Sequence, residues 1–561
     1  MPTTKTLTAQ LSVAAQLLPD DLPALAAAGI TTLINNRPDQ EAPDQPSSAD
    51  LAAAATAAGL SYHYLPIIPG QLTDDAVAQF AALLAAAHGP VLAFCRTGTR
   101  STTLWALTQT QQRPVTEILA VAQAAGYDLS ALAPRLAQRS QAAPTASVSG
   151  DYDVVVVGGG AAGCAVSASL LRRQPALRIA IVEPANEHYY QPGWTLVGAG
   201  VFDPRQTVRA MADCIPKGVT WLRGAVAECL PDAQQVLLED GQRFGYRALV
   251  VCPGLALDWD GIEGLRTSLG QHGVTSNYSF QHASYTWQQV QELRSGKALF
   301  TQPPMPIKCA GAPQKALYLS CDHWLRQRRL GDIQVDFCNA GGVLFGVADF
   351  VPPLMEYIRK YDAQLHFGET LVAVDGPGRT ALLRYTDADG QSQTRERQFD
   401  FLHAVPPQVA PAFIRCSPLA NADGWVDVDP HTLAHNRYAK VFSLGDVCSA
   451  PNAKTAAAVR KQAPVVAENL LRALAGEPAS AHYDGYGACP LTVERGKVVL
   501  AEFGYGGALL PTFPLDPRVP RRLAWTLKTQ VMPAVYFDLM LRGREWLAGP
   551  QARPGDAVPQ P

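Results

Sequence analysis

Residues 151–173 read DYDVVVVGGGAAGCAVSASLLRR, in which an apolar strand pattern passes through a glycine turn into a helix pattern. The glycines have the spacing GxGxxG, which lets the backbone turn tightly and approach a pyrophosphate. The helix that follows points its N-terminus at the phosphates. The residues expected at the phosphates are Gly158, Gly160, Ala161, Ala162 and Gly163.

A second strand-like stretch, LRIAIVE, ends at Glu183, which lies 20 residues beyond Gly163. An acid at this place accepts hydrogen bonds from a ribose. Because strand, glycines, helix, second strand and acid follow in this order, a chance glycine-rich turn explains the segment poorly. The pattern predicts an α/β fold with a Rossmann-like dinucleotide-binding domain.

The composition is that of an ordinary globular protein, with 561 residues, 47% of them hydrophobic, and a net charge of −3. It has no basic run that would indicate a nucleic-acid partner. We expect neither a secretory signal nor a transmembrane helix, because no long apolar stretch occurs. The 11 cysteines form no CxxC pair, which predicts buried thiols in a reducing compartment and no metal site.

The N-terminal part of the chain alternates strand-like and helix-like stretches, for example ITTLINNR (30–37) and PVLAFC (90–95). This alternation predicts a separate α/β domain over residues 1–130. Residues 131–150 are rich in Ala, Pro and Ser and are predicted to form a linker.

A second glycine turn follows the strand that begins at Val441 and contains Gly445 and Asp446. A helix is predicted from about Lys454, with Thr455 at its start. This arrangement resembles the second flavin motif of flavoproteins that have two dinucleotide-binding domains. The resemblance implies FAD, with Asp446 on its ribityl chain and the helix N-terminus at the flavin ring.

Flavoproteins of that kind that use NADH carry another GxGxxG in their middle domain. The corresponding strand, loop and helix within residues 297–346 contain no such fingerprint. Three prolines stiffen the loop, and Cys309 occupies the place of the phosphate-binding glycines. We therefore expect no nicotinamide cradle and a different electron donor.

Four segments resemble the sulfide:quinone oxidoreductase family, in particular its mitochondrial branch. They are HYYQPGWTLVGAG (188–200), PIKCAGAPQKALYLS (306–320), GDVCSAPNAKTAAAV (445–459) and YDGYGACPLTVERGKVVLAEF (483–503). The resemblance implies FAD-dependent oxidation of sulfide to a cysteine persulfide, with quinone as the electron acceptor. It implies an oxidoreductase over 151–480 with FAD-binding parts at about 151–275 and 405–475, a middle domain at about 276–404, and a quinone and membrane region at 481–561.

In that family two cysteines flank the flavin and form the disulfide that sulfide attacks. Cys309 matches the first of them. Cys448 is the best match to the second, displaced by one residue because Val447 holds the expected place, which leaves a related substrate open. A helix N-terminus and Lys454 are expected to lower the pKa of Cys448. By analogy Cys448 carries the persulfide and Cys309 faces the flavin, whereas Cys489 receives no role.

The persulfide sulfur passes to an acceptor, for which a small thiol or sulfite is expected. Lys308 and Lys315 lie close to Cys309 in sequence. They either attract such anions or are ordinary solvated surface lysines.

The C-terminal segment from Pro511 places apolar residues at roughly helical spacing, interrupted by Pro533. The pattern suits a helix in a membrane interface and equally a helix packed on the protein's own core. The family resemblance favours a peripheral association with the cytoplasmic or opposite face of an inner membrane, beside the quinone pool. The oligomeric state stays open.

The N-terminal domain contains Cys95, Arg96 and Arg100 in the order C-R-x-G-x-R, between a strand and a helix. Such a loop stabilises a thiolate and binds an oxyanion. It resembles protein tyrosine phosphatases and, in its spacing, rhodanese-type sulfurtransferases. The whole segment resembles the phosphatase-like domain of the beta-lactamase hydrolase-like family, in which Asp39 or Glu41 would be the general acid of a hydrolase.

The sequence therefore predicts a bifunctional enzyme of sulfur metabolism, in which FAD-dependent sulfide oxidation is joined to sulfane-sulfur transfer by Cys95. The alternative is a phosphatase-like hydrolase fused to a redox-regulatory or sensing flavoprotein.

Overall fold

A computed structural model of the chain describes residues 2–42, 45–68, 72–87, 89–110, 113–141, 150–549 and 551–552. The chain divides into two compact units. The first contains Met1–Gly150, Val226–Phe244 and Cys416–Pro418, and the second contains Asp151–Ala225, Gly245–Arg415 and Leu419–Pro561. Part of the predicted linker, Ala133–Gln141, forms a helix, and residues 142–149 lie outside the described residues.

The first unit is a parallel sheet with helices in its connections. The strands of this sheet are β1 (Thr4–Thr6), β2 (Leu11–Ala14), β3 (Thr32–Asn35), β4 (Ser61–Tyr64) and β5 (Val91–Phe94). Its helices are α1 (Leu22–Ala27), α2 (Ser48–Ala57), α3 (Asp74–Ala86), α4 (Thr99–Thr108), α5 (Val115–Ala124) and α6 (Ala133–Gln141). The sheet has the order β1-β2-β5-β3-β4, and only β1 is antiparallel to its neighbour. This arrangement confirms the predicted α/β class.

Strand β5 positions the cysteine loop of this unit. Its sequence VLAF is buried at all four positions, and Cys95 follows directly. The loop leads into α4 through Gly98, which has a φ of 91°. Glycine adopts this backbone angle with little strain because it has no Cβ atom. Cys95 therefore lies where the carboxyl end of a central strand meets a helix N-terminus, a common place for active sites in parallel α/β folds.

The second unit begins with the predicted dinucleotide-binding fold. The strands of residues 150–257 are β6 (Gly150–Val157), β7 (Ile179–Val182), β8 (Glu187–Tyr189), β9 (Val208–Ala210), β10 (Val219–Leu222), β11 (Val226–Leu230), β12 (Gln235–Leu238), β13 (Arg243–Val251) and β14 (Ala256–Leu257). Of these, β11, β12 and the first two residues of β13 belong to the first unit. The helices are α7 (Ala161–Arg173), α8 (Trp194–Val197) and α9 (Met211–Cys214). Strands β10, β7, β6 and β13 are neighbours in this order. The predicted succession of strand, glycine turn, helix and strand is confirmed as β6, α7 and β7.

A second parallel sheet follows. The strands of residues 274–409 are β15 (Val274–Thr275), β16 (Gly296–Gln302), β17 (Ile333–Asn339), β18 (Gln364–Phe367), β19 (Thr370–Asp375), β20 (Thr380–Thr386), β21 (Ser392–Gln398), β22 (Phe401–His403) and β23 (Gln408–Val409). The helices are α10 (Leu265–Ser268), α11 (Phe280–Glu292), α12 (Ala312–Arg326), α13 (Val351–Lys360) and α14 (Ala412–Arg415). The order β15-β22-β16-β17-β18 is parallel throughout, and β19, β20 and β21 form an antiparallel sheet. The loop between β16 and α12 contains Cys309.

The C-terminal part adds a strand to the sheet of the dinucleotide-binding fold and then forms a hairpin. Its strands are β24 (Val441–Ser443), β25 (Ala481–His482), β26 (Gly487–Glu494), β27 (Lys497–Phe503) and β28 (Gln551–Ala552). Its helices are α15 (Ala456–Ala475), α16 (Arg522–Thr526) and α17 (Met532–Ala534). Strand β24 pairs in parallel with β13, which places α15 beside the first glycine turn.

The helical segment after α16 is irregular. π-Helical turns occur at Leu527–Val531 and Val535–Leu539. Pro533 lies between them and donates no backbone hydrogen bond, which disturbs a regular α-helix. Among the helices of the described ranges, none is long and apolar enough to cross a membrane.

Candidate active site

A cavity of about 450 Å³ lies in the second unit, where the turns after β6 and β24 face the start of α15. Its volume is in the range of cofactor pockets. Every predicted cofactor residue except Gly163 lines it: Gly158, Gly160, Ala161, Ala162, Glu183, Gly445, Asp446, Lys454 and Thr455. A Cβ atom on Gly163 would lie 1.9 Å from the carbonyl oxygen of Gly158, so this glycine lets α7 pack closely on the turn.

One end of the cavity fits the phosphates and ribose of a dinucleotide. A Cβ atom on Gly160 would meet no atom within 4 Å, so the backbone here is open to a ligand. Glu183 is held at the end of β7 by the N–H groups of Gly159 and Ala185, each 2.8 Å from a carboxylate oxygen. The open turn and the oriented acid match the predicted pyrophosphate and ribose contacts.

The other end fits a ribityl chain and a flavin ring. The Asp446 carboxylate lines the cavity, and burial raises its pKa against the charges of Lys454 and Lys308. Thr455 caps α15 by accepting a hydrogen bond of 3.2 Å from the N–H of Ala458. The helix N-terminus adds partial positive charge to this end. The residues present therefore fit FAD.

Cys309 and Cys489 form a pair of facing thiols. Their Sγ atoms are 3.8 Å apart. Cys309 has a φ of 79°, a left-handed conformation that residues other than glycine rarely adopt. Strained backbone of this kind is concentrated at functional sites. The loop before α12 thus holds Cys309 at the wall of the cavity and against Cys489 of β26.

Lys315 of α12 stabilises a negative charge on this pair of thiols. Its Nζ lies 3.1 Å from the Sγ of Cys309 and 3.7 Å from the Sγ of Cys489. A hydrogen bond from Cys489 and the Lys315 charge hold the pKa of Cys309 well below its ordinary value, although burial opposes them. The same hydrogen bond raises the pKa of Cys489. The reduced pair is therefore a thiolate at Cys309 and a thiol at Cys489.

A second buried ammonium group lies near the pair. Lys528 of the first π-helical turn is 4% exposed and lines the cavity. Burial and the Lys315 charge lower the pKa of Lys528 to about 7. Lys315 therefore carries the lasting positive charge beside the two sulfur atoms, and Lys528 adds a second charge only when it is protonated.

The structure pairs Cys309 with Cys489 and not, as the sequence predicted, with Cys448. The Cys448 thiol is fully buried and donates to the carbonyl oxygen of Gly445 at 3.2 Å. Lys454 donates to the carbonyl oxygens of Asp446 and Cys448, and so fastens this loop. Burial raises the pKa of Cys448 in spite of the Lys454 charge, so the expected low-pKa thiolate is absent there.

Cys489 is a candidate functional residue to which sequence reasoning gave no role. A signal was present, because Cys489 is the single cysteine of the family-like segment 483–503. Within its strand pattern, however, Cys489 looks like an ordinary buried residue. The 180 residues between Cys309 and Cys489 hide the pairing from any local pattern.

Lys308 and Lys315 both line the cavity, so neither is an ordinary solvated surface lysine. The Nζ of Lys308 donates to the side-chain oxygen of Gln191 at 2.5 Å and faces the ring of Trp194. The two positive charges predicted from the sequence are thus placed beside the thiol pair and Asp446.

The C-terminal segment has two faces. One face closes the cavity with Leu527, Met532, Val535, Tyr536 and Met540. Large apolar residues of this segment also remain exposed: Leu515, Val519, Leu523 and Val531 lie outside the cavity lining, whereas Phe513, Trp546 and Leu547 are exposed and also line the cavity. The segment therefore packs on its own protein and also presents an apolar surface.

The three predicted residues of the cysteine loop differ in their exposure and in their hydrogen-bond partners. Cys95 is buried, and its Sγ accepts a hydrogen bond of 3.2 Å from the N–H of Gly98. Arg96 is exposed. Arg100 is directed at the carbonyl oxygen of Ile67 and at Glu41, each at 2.8 Å.

The two candidate acids of this unit are engaged. Glu41 bonds to Arg37 and Arg100, at 2.7 and 2.8 Å. The hydrogen bond from Arg100, supported by Arg37, lowers the pKa of Glu41 and keeps it ionised. Asp39 accepts a hydrogen bond of 2.8 Å from the N–H of Ser48 at the start of α2. Glu41 therefore fixes Arg100 and does not hold a proton.

Two protein families match separate parts of the chain. Residues 3–112 match the phosphatase-like domain of beta-lactamase hydrolase-like protein, and residues 152–298 match pyridine nucleotide-disulphide oxidoreductase. A beta-lactamase hydrolase-like protein of Agrobacterium fabrum is 35% identical over 137 residues, which are 24% of this chain and 32% of that protein.

The larger part of the chain matches relatives over most of their own length. The mitochondrial sulfide:quinone oxidoreductase of Mus musculus is 38% identical over 392 residues, 70% of this chain and 87% of the mouse protein. The crystal structure of sulfide:quinone oxidoreductase from Aquifex aeolicus shares the fold with a TM-score of 0.58 at 18% identity, over 70% of this chain and 91% of that one. The chain therefore belongs to the sulfide:quinone oxidoreductase family, as an FAD-dependent oxidoreductase with quinone as its electron acceptor and with a phosphatase-like domain in its N-terminal part.

Proposed function

We propose that sulfide is oxidised at the Cys309–Cys489 pair. The observation that carries this proposal is the pair of facing thiols bridged by Lys315 at the wall of the cofactor cavity. In the oxidised pair, hydrosulfide attacks the Sγ of Cys489 and the S–S bond breaks. Cys489 keeps the added sulfur as a persulfide, and Cys309 leaves as a thiolate.

The direction of attack follows from the two pKa shifts. The sulfur with the lower pKa is the better leaving group in thiol–disulfide exchange. Lys315 and Cys489 stabilise negative charge on Cys309, so Cys309 leaves and Cys489 is attacked. This assignment gives Cys489 the persulfide role that the sequence assigned to Cys448. FAD, when bound, supplies the two-electron acceptor that connects the cysteine pair to quinone.

The sulfane sulfur next passes to an anionic nucleophile. A small thiolate or sulfite attacks the outer sulfur of the Cys489 persulfide, and the Cys489 thiolate leaves. Lys315 and Lys528 lie beside this sulfur and attract such an anion. We propose the same kind of acceptor as the sequence suggested, a small thiol or sulfite. Lys528 lines the cavity together with Lys308 and Lys315, which the sequence had offered for this role.

The Cys95 loop is proposed to transfer sulfane sulfur. Attack of a Cys95 thiolate on a persulfide releases a thiolate, which leaves without protonation. Ester hydrolysis of the phosphatase type needs a proton donor for an alkoxide. Glu41 is ionised and paired with Arg37 and Arg100, which favours sulfur transfer over the hydrolase alternative.

Peripheral membrane association is proposed for the region 481–561. The exposed apolar residues of this region stand next to basic ones, for example Leu523 next to Arg522. Apolar and basic residues together suit the interface of a bilayer, from which quinone enters the cavity. We propose the cytoplasm and an inner membrane as the location.

Three serine substitutions distinguish the cysteine roles. We expect Cys309→Ser and Cys489→Ser to slow flavin reduction by sulfide roughly a thousandfold or more, because the disulfide is lost. Cys448→Ser is the matched control and should stay within a few-fold of the wild type. Anaerobic stopped-flow absorbance of the flavin measures the three rates. A wild-type rate for Cys489→Ser together with a lost rate for Cys448→Ser would restore the pairing predicted from the sequence.

The ionisation of Cys309 is tested by pH. Because its pKa is lowered, Cys309 stays a thiolate as the pH falls, and its alkylation by iodoacetamide should persist below the pH at which glutathione ceases to react. Lys315→Met removes the stabilising charge and should shift the midpoint upward by about one pH unit or more. Mass spectrometry of the reduced protein follows the modification. Equal midpoints for wild type and Lys315→Met would contradict the proposed ion pair.

The Cys95 proposal is tested on the full chain. Cys95→Ser should abolish transfer of sulfur from thiosulfate or glutathione persulfide to cyanide, while flavin reduction by sulfide keeps its wild-type rate. Glu41→Gln loosens Arg100 and should lower the transfer rate about tenfold or more. Cleavage of a phosphate ester that needs Cys95, without any sulfur transfer, would support the hydrolase alternative.

The membrane proposal is tested by sedimentation with phospholipid vesicles. Leu523→Glu places a charge in the exposed apolar surface and should weaken binding about tenfold. Leu325→Glu changes another exposed leucine, outside the C-terminal region, and serves as the control. Equal binding of both variants and the wild type would place the membrane contact elsewhere.

A further inference from the structure

The reduction of a quinone consumes two protons as well as two electrons. The electron pair comes from the reaction of the cysteine pair and FAD, and any proton that the reduced flavin does not supply must reach the quinone oxygens from water or from an acid of the protein. In the apolar part of a cavity, water is a poor source of protons, so acidic side chains of the wall are the natural carriers.

One carboxyl group lines the cavity among apolar neighbours. Glu502 of β27 is 4% exposed. It pairs across the hairpin with Ala488, and the next pair on this face is Pro490 with Leu500, all of which line the cavity. Phe513 also lines it. This part of the wall suits a quinone ring, with a single carboxyl group at its edge.

The hairpin separates this wall from the thiol pair. Successive residues of a strand point to opposite faces. Cys489 lies between Ala488 and Pro490 on β26, and its Sγ faces Cys309. Glu502 is therefore on the opposite face of the hairpin from the sulfur chemistry, and it takes no part in the reaction of sulfide.

Glu502 is connected to two hydroxyl groups. Its Oε1 accepts hydrogen bonds of 2.5 Å from the hydroxyl groups of Tyr486 and Thr512, and its Oε2 accepts one of 3.0 Å from the N–H of Thr512. The two hydroxyl oxygens are themselves 3.3 Å apart. These three donors fix the orientation of the carboxyl group in the wall of the cavity.

The route to solvent passes on the Thr512 side. Thr512 is partly exposed, and the next residue, Phe513, is 36% exposed. On the other side, the Lys461 ammonium group and the Arg460 guanidinium group lie 5.6 and 5.7 Å from the centre of the Tyr486 ring. A proton thus has a short path through hydroxyl groups from the surface to the buried carboxyl group of Glu502.

We propose that Glu502 delivers protons to the quinone. The protonated carboxyl group gives its proton to an oxygen of the two-electron-reduced quinone and becomes a carboxylate. The Thr512 hydroxyl then passes a proton from water to Glu502, so that Glu502 can supply each proton that the quinol still needs. Each delivery breaks one O–H bond on Glu502 and forms one on the quinone, and the electron pair comes from the reaction of the cysteine pair and FAD.

Glu502→Gln tests the proposal, because glutamine keeps the size and the hydrogen-bonding shape but carries no transferable proton. Reduction of the flavin by sulfide should keep its wild-type rate. Reoxidation of the reduced flavin by a short-chain ubiquinone should slow about a hundredfold. Reoxidation by ferricyanide, which takes electrons without protons, should be unchanged. The solvent deuterium isotope effect on quinone reoxidation should fall in Thr512→Val, which removes the hydroxyl path.

Glu494→Gln is the matched control on the same hairpin. Glu494 pairs with Lys360 and Lys497 outside the cavity, and its variant should show wild-type rates with both oxidants. Wild-type reoxidation of Glu502→Gln by ubiquinone would overturn the proposal, as would an equal slowing with ferricyanide. Failure of sulfide to reduce the wild-type flavin would instead overturn the proposed sulfide reaction. Flavin content and thermal unfolding establish that each variant is folded.

Discussion

The ion pair between the Lys315 ammonium and the Cys309 thiolate is the interaction on which the active site depends. A buried charge is stable only when an opposite charge or several hydrogen bonds compensate for its lost hydration. Lys315 comes from α12, Cys309 from the loop before it and Cys489 from β26, so one contact fixes three segments of the chain. It also gives the two sulfur atoms different reactivities, although both are cysteines in the same small volume.

The parts of this enzyme that sequence reasoning predicted well are those encoded by short, local patterns. The strand, glycine turn and helix at 151–173 lie in one run of residues, and so do Gly445 and Asp446 with the helix after them. The pairing of Cys309 with Cys489 is different, because it arises where a loop of one sheet meets a hairpin that follows much later. Cys448 satisfied every local criterion for a reactive thiol, namely a helix N-terminus and a nearby lysine. Its burial and the use of Lys454 to bind backbone carbonyl groups are properties of the folded loop that no spacing reveals.

The same limit applies to the N-terminal unit. Its sequence predicted the α/β fold and the cradle around Cys95, because strand, loop and helix are contiguous. It also offered Glu41 as an acid, since residue type alone does not distinguish a proton donor from a counter-ion. The two arginines that meet at Glu41 settle that question by charge. A carboxylate shared by two guanidinium groups is a structural anchor for Arg100.

The π-helical turns at Leu527–Val531 and Val535–Leu539 have a consequence for the way this region tolerates changes in length. A π turn contains one more residue than an α turn. Removing one residue from either turn would rotate every later side chain by about 100° around the axis. Lys528 and Tyr536 lie inside these two turns and reach the cavity from them. The two π turns thus set which side chains of this segment face the cavity and which face outward. An insertion or deletion here would therefore change the cavity wall even if every remaining residue were kept.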